Sequence, residues 1–456
     1  MTELLERLRS ALGPDGIRVG AVVGERHRVD RTGIDPQAPL AVALPRSTAE
    51  VAAVLRLCHA AGQAVVPQGG LTGLAGGATP TRDAIALSLE RMRGIEELDP
   101  AAATVTALAG TPLQALQEAA EEAGFFLGLD LGARGSCQIG GNVSTNAGGM
   151  KVIRYGMARE QVLGLEAVLA DGTVIGAMNK MLKNNAGYDV KQLFIGSEGT
   201  LGVVTRVVLK LHPRPSSLAT AICALPGYAA VVTLLRRAQA VLGGVSAYEA
   251  MWHDYYDFVT SRSDRPKPFA TPHPFYAIME YAGVDPEGDA ARFEALLASM
   301  LEEGVVLDAV IARSEKQARS FWQIREGLEW DAVEAPIHLD VSLPIGSLGD
   351  FAERTRAALQ ARWPGSINSF YGHIGDSNLH VSLDMGGGGE ARRRAAEEAV
   401  YRVVRDMGGS VSAEHGIGTL KRRYLGYSRS EAEIELMRRL KQALDPKGIL
   451  NPGKVL

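Results

Sequence analysis

The sequence predicts an α+β chain of two domains, and three observations carry that prediction. A chain of 456 residues is too long for one ordinary core, because a domain typically takes ~150 residues. Hydrophobic residues make up 46% and charged residues 22%, values that belong to a globular protein with a sizeable interior. The texture then changes at Pro213 and Pro215. Ahead of them, Gly-rich tracts alternate with short strands; behind them, long helices alternate with long strands. The division read from this is an entry segment with a short helix over 1–36, a first domain over 37–215 and a second over 216–456.

The elements follow in order. Ser47 and Glu50 have the spacing of a capping box. The helix VAAVLRLCHAAG follows, with Val51, Val54, Leu55 and Cys58 on one face and Gly62 as its stop. The strand AVVP leads into a Gly-rich loop from Gln68 to Gly77. AIALSLERM and ATVTALAG read as strands, and TPLQALQEAAEEAG as a helix ending at Gly124. A second Gly-rich tract runs from Ser136 to Gly149, and VLGLEAVLADGTVI reads as a hairpin turning at Asp171 and Gly172. A third tract, Ile195 to Gly202, precedes the strand VVTRVVLKL. Behind the prolines, FYAIMEYAG, HLDVSLP, INSFYGHIG and NLHVSLDM read as strands of an antiparallel sheet with helices on one face.

Composition excludes several classes. The net charge is −4 and no Lys/Arg run stands out, so nucleic acid is not expected as a partner. Cys58, Cys137 and Cys223 are far apart and form no CxxC, which excludes a disulfide scaffold and a thiolate zinc site and fits a cytoplasmic location. The N-terminal MTELLERLRSALG lacks the apolar core of a signal peptide. No run of 18 apolar residues is present, so no membrane span is expected.

Three Gly-rich loops in one domain, each beside a strand, suggest one extended ligand held by backbone groups. Clustered N–H donors make an anion nest for phosphate, and Asn142, Ser144, Thr145 and Asn146 offer bonds to a ribose or a heterocycle. The tracts match neither GxGxxG with a downstream acid nor GxxxxGK[ST], so a Rossmann NAD site and a P-loop are disfavoured.

PQGGLTGLAGG, GSCQIGGNVSTNAGG, NNAGYDVKQLFIGSEGTLG and the terminal LNPGKVL resemble the FAD-binding signature of the vanillyl-alcohol-oxidase superfamily. More narrowly, the chain resembles its FAD-linked dehydrogenases of D-lactate, D-2-hydroxyglutarate and glycolate, in order from about Asp35 to Leu456. The resemblance implies a PCMH-type FAD-binding domain, with the tail 446–456 returning to the cofactor from a C-terminal substrate and metal domain. It implies FAD contacts from Pro67, Gly69, Gly70, Thr72, Gly73 and Leu74. The second tract adds Ser136, Gly140, Gly141, Thr145, Asn146 and Gly149, and the rest come from Glu198, Gly199, Gly202 and Asn451. Some superfamily members attach FAD covalently through a His in the first loop; Gln68 between Pro67 and Gly69 predicts noncovalent FAD here.

The segment YGHIGDSNLHVSL is the densest chemistry. A hairpin turning at Asp376 and Ser377 would set His373 opposite His380 on one sheet face. Two imidazoles so placed either converge on a divalent cation or donate to backbone carbonyls as partly buried core groups. SAEHGIG offers Glu414 as a third ligand behind a short strand SVSA; the alternative is a surface Glu-His pair. The resemblance implies His373, His380 and Glu414 as metal ligands and His415 as the catalytic base. Two His and a carboxylate suit zinc, with iron and manganese as alternatives.

FWQIREGLEW offers Arg325, one turn after Trp322, either as a bidentate clamp on a substrate carboxylate or as the i,i+4 partner of Glu329. The resemblance implies the clamp. Two departures concern the distal end of the substrate. His338 stands where the D-2-hydroxyglutarate enzymes typically carry Lys, and Glu329 where they carry a hydroxyl residue. A neutral His and an acid suit a second carboxylate less well and point to a monocarboxylate or a substrate with a polar or aromatic tail, with His338 setting the side-chain preference. The activity so implied is FAD-dependent oxidation of a small D-2-hydroxy acid. Its electrons would pass to an acceptor such as an electron-transfer flavoprotein or a quinone, and the chain would pair as a homodimer. The alternatives are a subunit of a glycolate-oxidising complex or a superfamily oxidase of a different alcohol.

Overall fold

The computed structural model describes residues 2–263, 267–387 and 389–456. They form two compact units. The first comprises Met1–Gly149, Gly156–Arg214 and Glu414–Leu456; the second comprises Met150–Tyr155 and Pro215–Ala413. The return to the first unit therefore begins at Glu414, earlier than the tail at 446 expected from sequence. The reason is local. The Glu198 carboxylate accepts the N–H groups of Ile417 at 2.7 Å and Gly418 at 2.8 Å. The Ala75 carbonyl accepts those of Thr419 and Leu420.

In the first unit, Ser47 caps the helix Thr48–Ala61 by accepting from the Glu50 N–H at 3.2 Å. The other arm of the expected box is displaced by one residue, since Glu50 Oε2 accepts from the Arg46 N–H. Gly62 closes the helix at φ 66°, the left-handed conformation that suits glycine. A four-stranded sheet runs Ile17–Val19, Ala41–Ala43, Ile85–Ser88, Val65–Gln68, and the last three strands are parallel. Its core takes in Val51, Leu55, Cys58 and Ile85 together with Ile449 and Leu450 of the return segment. A five-stranded antiparallel sheet runs Ile95–Asp99, Thr104–Leu108, Val203–Lys210, Val162–Val168, Val174–Ala177. Its final hairpin turns at Asp171 and Gly172, where Leu169 N donates to Thr173 O at 2.9 Å.

The second Gly-rich tract is not a plain loop. Ile139–Ser144 is a helix. Gly140 is needed there for close approach, because a Cβ would lie 2.6 Å from the Ala109 Cβ.

The second unit is built on a seven-stranded sheet, antiparallel throughout. Its order is Asp308–Ile311, Ser217–Leu225, Phe275–Gly283, Val245–Trp252, Ile367–Gly372, Asn378–Asp384, Ile337–Ser342. Helices cover both faces, not one. On one face Tyr248 donates its hydroxyl to Val231 O of the helix Tyr228–Leu242. On the other, Tyr255 of the helix His253–Ser261 stacks on Tyr371 at 4.0 Å. Every residue of Val245–Trp252 is buried, and a strand buried on both sides requires cover on both.

Candidate functional site

Within the first unit the three tracts line one cleft. Pro67, Gly69, Gly70, Thr72 and Gly73 come from the first; Gly140, Gly141 and Thr145 from the second; Glu198, Gly199 and Gly202 from the third. His415, from the return segment, lines the same cleft. Glycine is obligatory where the loops touch: a Cβ on Gly70 would stand 2.1 Å from the Ser136 carbonyl oxygen. The buried Gln138 Oε1, Asn142 Oδ1 and Asp30 Oδ2 have no hydrogen-bond partner among the described residues, and all three residues line the cleft. Such acceptors fit a ligand rich in hydroxyl and N–H groups, and the backbone-walled floor fits its phosphates.

Five residues expected at the cofactor are not among those lining the cleft. Leu74 is 44% exposed and lines nothing in the cleft. Ser136 backs the first loop and donates its hydroxyl to Ala133 O. Asn146 stands at φ 50° and accepts the Arg159 N–H on its Oδ1. Gly149 is a packing glycine, since a Cβ would meet Asp130 O at 1.9 Å. Asn451 is a clamp: its Nδ2 donates to Gly77 O at 3.0 Å and to Glu198 O at 2.7 Å, tying the first tract to the third. Glu198 reaches the cleft, yet its carboxylate is engaged by the backbone of the EHGIG segment. Burial pushes its pKa up, against the opposing pull of the Ile417 and Gly418 N–H groups and Lys421. Gln68 is buried and cross-braces the floor, donating to the carbonyls of His27 and Ala78, each at 3.0 Å. Lys454 near the end of the chain is 3% exposed, and burial lowers its ammonium to about 8, with Asp30 acting in the opposite sense.

The second unit carries a polar centre on one face of its sheet. His380 opposes Tyr371 and not His373, so the expected two-residue hairpin is corrected. The strands end at Gly372 and Asn378, and the connection includes a 3-10 turn over Ile374–Asp376 with Ser377 at φ 76°. The two imidazoles still come together, edge to face at 5.2 Å between ring centres. On the same face, register places Asp340 opposite His380 and His338 opposite Ser382. The preceding SVSA is an isolated bridge, Ser410 to Ser342, and not a strand.

In the bonds described, Arg325 pairs with Glu249. It is buried on the last turn of the helix Glu315–Glu326, its Nε bonded to a Glu249 carboxylate oxygen. Its guanidinium lies 4.7 Å from the Tyr371 ring centre, and its Nη2 stands 3.3 Å from His373 Nε2. The other Glu249 oxygen bonds His373 Nδ1. Glu249 is fully buried, and burial alone would raise its pKa; Arg325 and His373 together hold it below the ordinary carboxylate range. Trp322 packs half-buried against the aromatic cluster of Tyr255, Phe258 and Trp330. His338 is exposed, bonds Ser382 Oγ at 2.9 Å, and meets the Trp330 ring edge-on at 6.0 Å. Sequence reasoning missed Glu249; its signal is a lone acid in the otherwise apolar strand VSAYEAMW. Glu414 and His415 open the return segment of the first unit.

A backbone-walled nucleotide cleft in one unit and a polar sheet face in the other define a two-domain, dinucleotide-dependent redox protein. Residues 39–177 match the FAD binding domain, and residues 214–455 match the C-terminal domain of FAD linked oxidases. The chain belongs to the FAD-linked oxidases, and its cofactor is FAD. It is 43% identical over 416 residues to the mitochondrial D-2-hydroxyglutarate dehydrogenase of Bos taurus, covering 90% of this chain and 76% of that one. It is 36% identical over 461 residues to the D-2-hydroxyglutarate dehydrogenase of Stutzerimonas stutzeri, covering 99% and 98%. A solved structure of p-cresol methylhydroxylase with substrate bound shares the fold, with a TM-score of 0.80 at 15% identity over 100% of this chain and 96% of that one. No described helix is long and apolar enough to cross a membrane.

Proposed function

We propose that this chain oxidises a D-2-hydroxy acid to the 2-oxo acid, with His415 as the base that takes the hydroxyl proton. The observation that carries this reading is the place of His415 on the wall of the FAD cleft, at the tip of a segment clamped by Glu198. An imidazole there can serve as a general base. Noncovalent FAD supplies a hydride acceptor at N5.

The reading assigns His373, His380 and Glu414 to a divalent cation, zinc by donor set, with iron or manganese as alternatives. Such a cation supplies a Lewis acid that makes the α-hydroxyl acidic enough to lose its proton. The edge-to-face pair His373 and His380 supports the assignment. So does chain continuity, since Ala413, immediately before Glu414, donates its N–H at 3.1 Å to Asp340, the register partner of His380. Arg325, held from behind by Glu249, is assigned to the substrate carboxylate. His338, beside the Trp330 ring, is assigned to the distal side chain of the substrate. Electrons then leave to an electron-transfer flavoprotein or a quinone, the chain working as a homodimer in the cytoplasm.

The test is an anaerobic titration of the purified chain with D- and L-enantiomers of lactate, malate and 2-hydroxyglutarate. Bleaching of the oxidised flavin band by D-acids alone, abolished by a chelator and restored by zinc, is the expected result. A flavin spectrum that none of the acids bleaches would overturn the proposal, and bleaching indifferent to the chelator would remove the metal from it.

A further inference from the structure

Glu249 touches no reacting atom in the scheme above, yet, like Asp340 on the same sheet face, it is completely buried. Its two carboxylate oxygens face different partners, Nδ1 of His373 and Nε of Arg325. A third contact closes the triangle: Arg325 Nη2 stands 3.3 Å from His373 Nε2. A guanidinium has donors only. The nitrogen it faces must therefore present a lone pair, so His373 Nε2 carries no proton and Nδ1 carries it. Nδ1–H then donates to Glu249. The three side chains admit one proton arrangement, because a proton on Nε2 would set two donors against each other and leave Nδ1 and Glu249 as two facing acceptors.

We infer that Glu249 is the positioning residue of this centre, fixing His373 in the tautomer that leaves Nε2 unprotonated and holding Arg325 by its Nε edge, with Arg325 Nη2 on the Nε2 lone pair until a cation takes it. One carboxylate thereby sets the orientation of an imidazole and of the cation assigned to the substrate carboxylate. Carboxylates behind metal-binding imidazoles play this part in other proteins, and their loss weakens metal binding about 10- to 100-fold. The consequence for metal affinity rests on the assignment of His373 as a ligand; the consequence for the tautomer does not. Tyr255 buttresses the arrangement from the helix His253–Ser261, donating its hydroxyl to Arg325 O at 2.8 Å and stacking on Tyr371.

The experiment uses the full-length, FAD-loaded chain labelled with 15N-histidine and washed with a chelator. Long-range 1H–15N spectra report the tautomer of each of the nine histidines, and His373 is assigned by its loss in His373→Gln. A proton on Nδ1 of His373 in the unaltered chain is expected; a proton on Nε2 overturns the inference without any variant. Glu249→Gln is the second arm. An amide cannot accept on both sides, so the variant is expected to shift the tautomer, weaken zinc binding about 10- to 100-fold, and raise KM for a D-2-hydroxy acid at unchanged FAD content. Glu249→Asp should recover part of the zinc affinity. An unchanged tautomer in Glu249→Gln overturns the inference, as does unchanged zinc affinity in a chain that binds zinc. If the unaltered chain takes up no zinc, the metal assignment fails while the tautomer still decides the role of Glu249.

Discussion

At the scale of single residues, Lys454 carries a measurable pH dependence. Burial lowers its ammonium from 10.5 to about 8, so between these values the unfolded chain holds a proton that the folded chain has released. Stability therefore rises with pH across that window, and below about 8 the fold bears the cost of a buried cation. The shift corresponds to about 3 kcal/mol. In the flavin-free chain, denaturant midpoints should climb from pH 7.5 to 10, and Lys454→Met should flatten the climb; parallel curves for the two proteins would refute the assignment. His338 makes a second residue-scale prediction. It is exposed beside Trp330 and on the face of His380, so His338→Lys places a cation for a distal carboxylate. The ratio of kcat/KM for D-2-hydroxyglutarate over D-lactate should rise about 10-fold, as one charge-assisted hydrogen bond warrants. An unmoved ratio in steady-state assays would show that His338 does not set the preference. Glu249 shows why some residues stay hidden in a sequence. A lone acid in an apolar strand carries a clear signal, but its partners lie 76 and 124 positions away, and nothing local names them.

At the scale of elements, the glycine tracts were legible because backbone approach leaves glycine as the only residue that fits. Gly70→Ala would drive a Cβ to 2.1 Å from the Ser136 carbonyl oxygen, which forces the first tract away from the second. FAD-to-protein ratios should fall to near zero while far-UV circular dichroism stays close to that of the unaltered chain; full flavin occupancy would contradict the packing. The EHGIG segment depends on a different device. Glu198 accepts two N–H groups, and in Glu198→Gln one acceptor becomes a donor. With a mispaired buried N–H costing about 1–3 kcal/mol, the segment bearing His415 should loosen. Flavin bleaching in stopped flow should slow at least about 10-fold at retained FAD; an unchanged rate would separate His415 from its clamp. The hairpin of the two imidazoles marks the limit of this scale. Alternation along NLHVSLD was readable, but the register was not, because Ser377 takes the left-handed conformation and Ile374–Asp376 coil into a 3-10 turn. A serine there carries none of the turn preference that Asn-Gly would announce.

At the scale of the whole molecule, the chain passes from one unit to the other four times, at Gly149, Tyr155, Arg214 and Ala413. Paired prolines flag one of these passages in the sequence. The others have no local mark. Met150–Tyr155 is claimed by the second unit through Lys151, paired with Glu280, and Arg154, bonded to the carbonyls of Gly244 and Ala282. The return at Glu414 depends on the acceptor pair of Glu198, more than two hundred positions earlier.

That return segment brings Ile449 and Leu450 into the core of the first unit and Asn451 across its first and third tracts. It is also synthesised after the whole of the second unit. At about 5–20 residues per second, residues 414–456 follow the second unit off the ribosome by a few seconds, during which the nucleotide cleft has neither its clamp nor its imidazole. Flavin capture is thus expected to wait for this segment to join the first unit. A chain cut ahead of Glu414 keeps the three Gly-rich tracts but loses Asn451 and His415, and is expected to purify without flavin.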